Sequence, residues 1–156
     1  MDDAAGWGIE TLHCAIDGVN AKSAVHICYG YGIPANIAWK ATLGDEWRHY
    51  EKFFPALAKS RVDQVSLECI NSHVPLSVLQ LLDGKDVLLG VIDVATDAIE
   101  TPEQVAAVIA QAAAYVPKEK IVACTNCGMA PMQRDVATQK LEALAQGAAL
   151  ARQLLC

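Results

Sequence analysis

Hydrophobic and polar residues follow one another along this chain in short blocks, some with the period of a strand and others with the period of a helix. Four of the blocks are predicted to be β-strands. They cover residues 23–29, 62–69, 86–94 and 120–124. The third is almost continuously apolar, as strands buried on both faces of a parallel sheet are.

The blocks between the strands carry apolar residues at helical spacing. They predict helices over residues 1–21, 43–59, 75–82, 102–115 and 132–155. Pro55 predicts a kink or break late in the second helix. Thr101 followed by Pro102 is a favourable start for the fourth. The segment 30–36 is rich in glycine and is predicted to be a loop.

The order of these elements is one helix followed by four strand–helix units. Such alternation implies an α/β fold with a parallel sheet and right-handed crossovers. Four units amount to half of a (β/α)8 barrel, which needs about 250 residues, whereas the chain has 156. An open doubly wound sheet is the other option, although no glycine-rich phosphate-binding motif is present. We expect a single domain over residues 1–156.

The charge of the chain narrows the possible partners. A net charge of −6, with no cluster of lysine and arginine, argues against binding to nucleic acid or to an anionic membrane. No apolar run reaches the roughly 18 residues of a membrane span. The acidic start, Met1-Asp2-Asp3, lacks the order of a signal peptide. We therefore expect a cytoplasmic protein.

Several residues that could bind a metal ion lie at the ends of the predicted strands. His26 and Cys28 point the same way because side chains on a strand alternate between faces. Glu68 ends the second strand and Cys127 follows the fourth. Parallel α/β folds have their sites at the carboxyl ends of the strands. One imidazole, two thiolates and a carboxylate suit a tetrahedral zinc ion, which can lower the pKa of a thiol substrate.

Each of these residues also has a structural interpretation. A lone histidine on a strand is often a core residue, Cys28 can be a small buried hydrophobe, and Glu68 a solvated strand end. Cys124 and Cys127 have the spacing of a redox pair, although no helix begins directly at the first cysteine. The even number of cysteines, six, permits disulfides, but a cytosolic chain of this length does not need them.

Several motifs resemble a known family. HICYG at 26–30, Glu68 followed by Ser72, GVID at 90–93 and NCG at 126–128 are similar in order and spacing to the C-terminal catalytic domain of cobalamin-independent methionine synthase. The resemblance implies a (β/α)8 barrel and methyl transfer to the zinc-bound sulfur of homocysteine, forming methionine. It implies zinc on His26, Cys28, Glu68 and Cys127, with Ser72 and Asp93 as candidate substrate-binding residues.

The chain also departs from that family. The Asp-Glu-Pro-Ala motif, whose acid helps to hold the homocysteine amino group, is absent, so the chain resembles the C-terminal half of the barrel in a short-form member. We therefore expect either a homo-oligomer or association with a separate N-terminal half. Long, folate-dependent members carry a histidine where this chain has Ala95. As methyl donor, a methylcorrinoid therefore fits better than a folate.

Two other functions stay open. One is a zinc-dependent thiol methyltransferase of the uroporphyrinogen-decarboxylase-like kind, which uses a similar His-x-Cys motif with a different thiol acceptor. Glu68 and the GVID strand favour the methionine-synthase interpretation over that one. The other is an inactive zinc-binding fragment that lacks the substrate-holding half.

Overall fold

Four parallel strands form a single sheet whose spatial order follows the order of the chain. The computed structural model describes residues 4–156. The strands are β1 (Ala24–Ile27), β2 (Gln64–Glu68), β3 (Asp86–Ile92) and β4 (Ile121–Thr125). Each pairs in parallel with the next. The predicted α/β class and parallel sheet are therefore confirmed, and the four predicted strands overlap the four observed ones.

Five α-helices and two short 3₁₀ helices precede, connect or follow the strands within the described residues. The α-helices are α1 (Ala4–Ala15), α2 (Pro34–Lys40), α3 (Tyr50–Ala58), α4 (Pro102–Ala112) and α5 (Arg134–Leu154), and the 3₁₀ helices are Leu76–Leu82 and Lys118–Lys120. Thr101 caps α4 as expected, since its side chain accepts from the Gln104 N–H. None of the helices in residues 4–156 combines the length and the apolarity that crossing a membrane requires.

The helical boundaries differ from the prediction in several places. The helix predicted over 1–21 ends at Ala15 because the backbone there changes to tighter turn hydrogen bonds, such as Val19 N–H to Ile16 O (3.1 Å). Residues 1–3 of that prediction lie outside the described part of the chain. The second predicted helix is confined to Tyr50–Ala58, and it continues past Pro55, so the predicted break does not occur.

Two further predictions of local structure were wrong. The segment predicted as a loop over residues 30–36 contains the start of α2, which has Pro34 at its first position, where a missing N–H costs nothing. Residues 76–82 form a 3₁₀ helix rather than an α-helix. Both segments are short, so their conformation is set by packing more than by helical propensity.

The core lies around the two central strands. Val65 and Leu67 of β2 and Val87 and Leu89 of β3 are completely buried. Helices α4 and α5 pack against one another and contact β3. The core is therefore centred on the middle of the sheet, whereas β1 and β4 form its two edges.

A buried ion pair joins α5 to the segment after β3. Lys140 is completely buried, and its Nζ lies 3.0 Å from Glu100 Oε2 and also donates to Ala98 O (2.5 Å). Glu100 Oε1 in turn accepts the Asp93 N–H (2.8 Å). Since a buried charge is tolerated only when it is paired and hydrogen-bonded, this network fixes the backbone at the carboxyl end of β3.

Candidate metal centre

Three of the four predicted ligands converge at the carboxyl edge of the sheet. His26 lies in β1, Cys28 directly after it, and Cys127 two residues past β4. One ligand atom from each of the three lies within 4.8 Å of the others. The two sulfur atoms are 3.7 Å apart, although they are separated by 99 positions in the sequence.

This convergence shows that the sheet is curved. In a flat sheet the first and fourth strands would lie about 14 Å apart, at ~4.8 Å per strand spacing. The ligands of β1 and β4 can meet only because the sheet bends into a cup with these side chains on its concave side. His26 is exposed there, and the two cysteines are half-buried.

A serine on the neighbouring strand orients the histidine. Ser66 faces His26 across the β1–β2 pair, and its Oγ lies 2.9 Å from His26 Nδ1. A ring that donates from Nδ1 keeps the lone pair of Nε2 for a metal ion. The sequence analysis did not identify Ser66, although it lies on the same face of β2 as Glu68, and this alternation was the available signal.

The Cys28 thiol is a poor nucleophile without a nearby cation. Burial raises the pKa of the Cys28 thiol to about 11, and the adjacent Cys127 and Glu68 add to the rise. Both sulfur atoms can bind a metal only as thiolates. A divalent ion placed between them would supply the charge that stabilises the deprotonated form.

Glu68, the fourth predicted ligand, is outside the three-residue group and is held by other donors. Its side chain is 2% exposed. Oε1 accepts the Tyr29 N–H (2.7 Å) and the Tyr50 hydroxyl (3.3 Å), and Oε2 accepts the Tyr31 hydroxyl (2.5 Å). Burial raises the pKa of both tyrosine hydroxyls, so the phenols keep their protons and donate.

A buried asparagine fixes the turn that carries Cys127. Asn126 is 1% exposed; its Oδ1 accepts the Cys69 N–H (3.1 Å), and its Nδ2 donates to Ile70 O (2.8 Å). These bonds join the end of β4 to the end of β2. Sequence reasoning included Asn126 only as part of the NCG motif and missed this positioning role.

The two candidate substrate-binding residues are not part of the metal group. Asp93 is 7% exposed; its Oδ1 accepts the Ala95 N–H (2.8 Å), and its Oδ2 accepts from Asn71 Nδ2 (3.2 Å). The Ser72 hydroxyl accepts the Val74 N–H (3.1 Å). Both side chains therefore stabilise the loops at the carboxyl ends of β2 and β3.

The contacts of the cysteines test the alternative that Cys124 and Cys127 are a redox pair. All six are free. The sulfur atom that Cys127 contacts is that of Cys28, whereas Cys124 Sγ lies 3.8 Å from Ser66 Oγ. Because Cys127 lies against Cys28 and not against Cys124, its arrangement favours metal binding over a CxxC redox motif.

The donor set fits zinc. Two thiols and an imidazole within a few ångströms of one another supply three ligands of the tetrahedral arrangement that zinc takes in proteins. The carboxylate of Glu68 accepts the N–H of Tyr29, the residue after Cys28, and it remains the candidate fourth ligand. Calcium and magnesium ions prefer several oxygen ligands, whereas this group offers two sulfur atoms and an imidazole nitrogen.

Comparison with known proteins connects this site to a family. Residues 47–150 match the family described as "Cobalamin-independent synthase, Catalytic domain". The methionine synthase of Saccharolobus solfataricus is 32% identical over 151 residues, which is 96% of this chain and 40% of that protein. The methionine synthase of Sulfurisphaera tokodaii is 31% identical over 150 residues, 96% of this chain and 39% of that protein.

A solved structure matches the whole described fold. It is a B12-independent methionine synthase from Shewanella sp. W3-18-1 in complex with selenomethionine. It is 53% identical and has a TM-score of 0.93, covering 99% of this chain and 45% of the longer one. The four parallel βα units thus correspond to half of a TIM barrel. The chain spans about two fifths of the length of the curated relatives it matches.

Proposed function

This chain belongs to the cobalamin-independent methionine synthase family, and from that premise we propose that it carries the zinc-binding half of a methyltransferase. The reaction is transfer of a methyl group to the thiol of homocysteine, which forms methionine. The observation that carries the proposal is the convergence of His26, Cys28 and Cys127 at the carboxyl edge of the sheet. This edge is where barrel enzymes bind their substrates.

The residues of the chain have separate tasks in this scheme. His26, Cys28 and Cys127 would hold the zinc ion, with Glu68 as the fourth ligand of the proposed set. Zinc bound there lowers the pKa of a substrate thiol, so that it reacts as a thiolate near neutral pH. Ser66 keeps the His26 ring in its orientation, and Asn126 holds the turn of Cys127.

The methyl donor we propose is a methylcorrinoid rather than a folate. The backbone N–H of Ala95 donates to Asp93 Oδ1, and its methyl side chain offers no proton to a departing nitrogen. General acid catalysis is typically worth about 10²–10⁴ in rate. A donor whose leaving group needs no proton avoids that loss.

The proposed partner is the missing half of the barrel. Within residues 4–156, both β1 and β4 have a paired strand on one side only. Beside β4 an apolar groove of about 600 Å³ lies between the strand and α5, and Val122 within it is 46% exposed. Either a second copy of the chain or an N-terminal half supplied separately would cover these edges, which otherwise invite pairing.

Reconstitution tests the proposal. The zinc-loaded chain is mixed with the part of the Shewanella protein that it does not cover, and methyl transfer from methylcobalamin to homocysteine is measured. We expect methionine formation by the mixture and none by either piece alone. Cys127→Ala should lower zinc affinity by about 100-fold or more and abolish activity, because it removes a ligand.

Three results would contradict the proposal. A Cys127→Ala chain that retains full zinc occupancy would refute the ligand set. A zinc-loaded mixture that assembles but forms no methionine would favour the inactive zinc-binding fragment. Activity on another thiol, with homocysteine inert, would favour the uroporphyrinogen-decarboxylase-like alternative.

A further inference from the structure

The Ser66 hydroxyl, which faces His26, has a second partner. Its oxygen lies 2.9 Å from His26 Nδ1 and 3.8 Å from Cys124 Sγ, on the far side of β3. Gly90 of β3 pairs with Cys124 and presents no side chain there. Ser66 is 9% exposed, and its hydroxyl has no third partner among residues 4–156. That hydroxyl has one proton, which it can donate either to His26 or to Cys124.

Cys124 accepts this proton because its own proton has another acceptor. Burial raises the pKa of the Cys124 thiol to about 11, so the sulfur atom is protonated near neutral pH. Cys124 Sγ lies 3.4 Å from Thr125 O, and a carbonyl oxygen can only accept. The thiol therefore donates to Thr125, and the lone pairs of its sulfur atom are left for the Ser66 hydroxyl.

The four groups thus form a chain of hydrogen bonds with one direction. His26 Nδ1 donates to Ser66, Ser66 donates to Cys124, and Cys124 donates to the Thr125 carbonyl. If Ser66 donated to His26 instead, the lone pairs of its oxygen would face those of the sulfur atom with no proton between them. A neutral ring that is protonated at Nδ1 has its lone pair on Nε2.

We propose that Cys124 is a positioning residue that acts through Ser66 to set the tautomer of His26, with the proton on Nδ1 and Nε2 free for a metal ion. This role rests on the zinc site of the proposed function. A cysteine outside the ligand group thereby prepares the histidine before the ion binds. Without an acceptor at position 124, the Ser66 hydroxyl turns to His26 Nδ1. The ring proton then moves to Nε2, where it blocks the metal position.

Nitrogen NMR of the metal-free chain measures the tautomer, because the shift of each ring nitrogen shows whether it carries a proton. Spectra are recorded well above the usual titration range of histidine, and the His26 signals are assigned by their loss in His26→Gln. We expect the proton on Nδ1 in the wild type and a change of the population toward Nε2 in Cys124→Ala. Cys124→Ser, which keeps both an acceptor and a donor, should retain the wild-type tautomer. Cys14→Ala, which removes an exposed thiol of α1, is the control without effect.

Zinc affinity is the second readout and is measured by competition with a chromophoric chelator. Cys124→Ala should weaken binding by up to about tenfold, which is the loss expected when Ser66 itself is removed. Cys124→Ser should weaken it by a smaller factor. In a double-mutant cycle, Cys124→Ala should cause no further loss once Ser66→Ala is present, because Cys124 acts only through that hydroxyl.

The proposal is overturned by a wild-type ring protonated at Nε2, or by a Cys124→Ala chain that keeps the proton on Nδ1. A loss of zinc affinity that persists beside Ser66→Ala would overturn it as well. If Cys124→Ala does not fold, Cys124→Val replaces it with the same expectations, since it fills the space but offers no acceptor. A wild-type chain with the proton on Nδ1 that binds no zinc would support the tautomer and refute the zinc site, which separates the two failures.

Discussion

The central and the edge strands of this sheet serve different purposes. In β2 and β3 nearly every residue is buried, whereas the side chains of β1 and β4 are partly or fully exposed. Yet the edge strands, β1 and β4, supply the three ligands that meet, while Glu68, on a central strand, is held by other donors. The centre of the sheet therefore supplies most of the buried core, whereas the proposed metal site lies at its rim.

The largest expected effect comes from breaking the buried ion pair behind the centre. Lys140→Ala leaves Glu100 as an uncompensated buried charge and should lower the free energy of unfolding by about 3–5 kcal/mol. Urea unfolding measures the loss. Zinc affinity of the folded fraction should stay unchanged, because Lys140 does not contact the ligands.

The control for this variant is Gln139→Ala, an exposed position on the same helix. It should change the free energy of unfolding by less than about 0.5 kcal/mol. A Lys140→Ala chain as stable as this control would show that the ion pair contributes nothing to the centre.

A glycine connects the two regions, and replacing it should affect both. A Cβ at Gly90 would lie 2.5 Å from Asn126 Oδ1 and 2.6 Å from Leu67 O. Gly90→Ala should therefore cost about 1–3 kcal/mol of stability. Because Asn126 holds the Cys127 turn, zinc affinity should fall as well. Urea unfolding and a zinc titration of the same preparation measure the two losses.

Gly128→Ala is the matched control, since a Cβ there would have nothing within 4 Å. Both of its measured values should resemble those of the wild type. Loss of stability in Gly90→Ala without any loss of zinc affinity would separate the Asn126 turn from the metal site.

The smallest effect is expected from the serine of β2 that contacts His26 at the rim. Ser66→Ala removes the hydrogen-bond partner of His26 Nδ1 and should weaken zinc binding about tenfold. Ser72→Ala, whose hydroxyl accepts a loop N–H instead, should leave zinc affinity unchanged. Competition titration compares the two variants, and equal affinities would mean that Ser66 does not orient the ring.

The strands and the three converging ligands could be predicted from the sequence because both depend on local patterns. Alternation places His26 and Cys28 on one face, and the rule that sites lie at the carboxyl ends of parallel strands brings Cys127 to them. The parallel α/β fold could be predicted from the alternation of strands and helices along the chain. The assignment of zinc to these residues stays a prediction.

The features that escaped prediction depend on contacts between distant segments. Tyr31 reaches Glu68 from the loop between β1 and α2, and Tyr50 reaches it from the start of α3. No sequence pattern indicates that these three side chains come into contact. Helix α2 was missed because its apolar residues Ile37 and Trp39 are exposed, so it has no buried stripe to give it a helical period. Local rules describe an element and its face, but they do not specify its partners.

The order of the strands has a consequence for how the chain matures during synthesis. Each strand pairs with the one made just before it, so every new βα unit can dock on a surface that already exists. Paired residues of neighbouring strands are fewer positions apart than Cys28 and Cys127, which are separated by 99 positions. The ligand group is the exception, because its first member lies in the first strand and its last member follows the fourth. The ligand group can therefore form only after the fourth βα unit described here has been made and has joined the sheet.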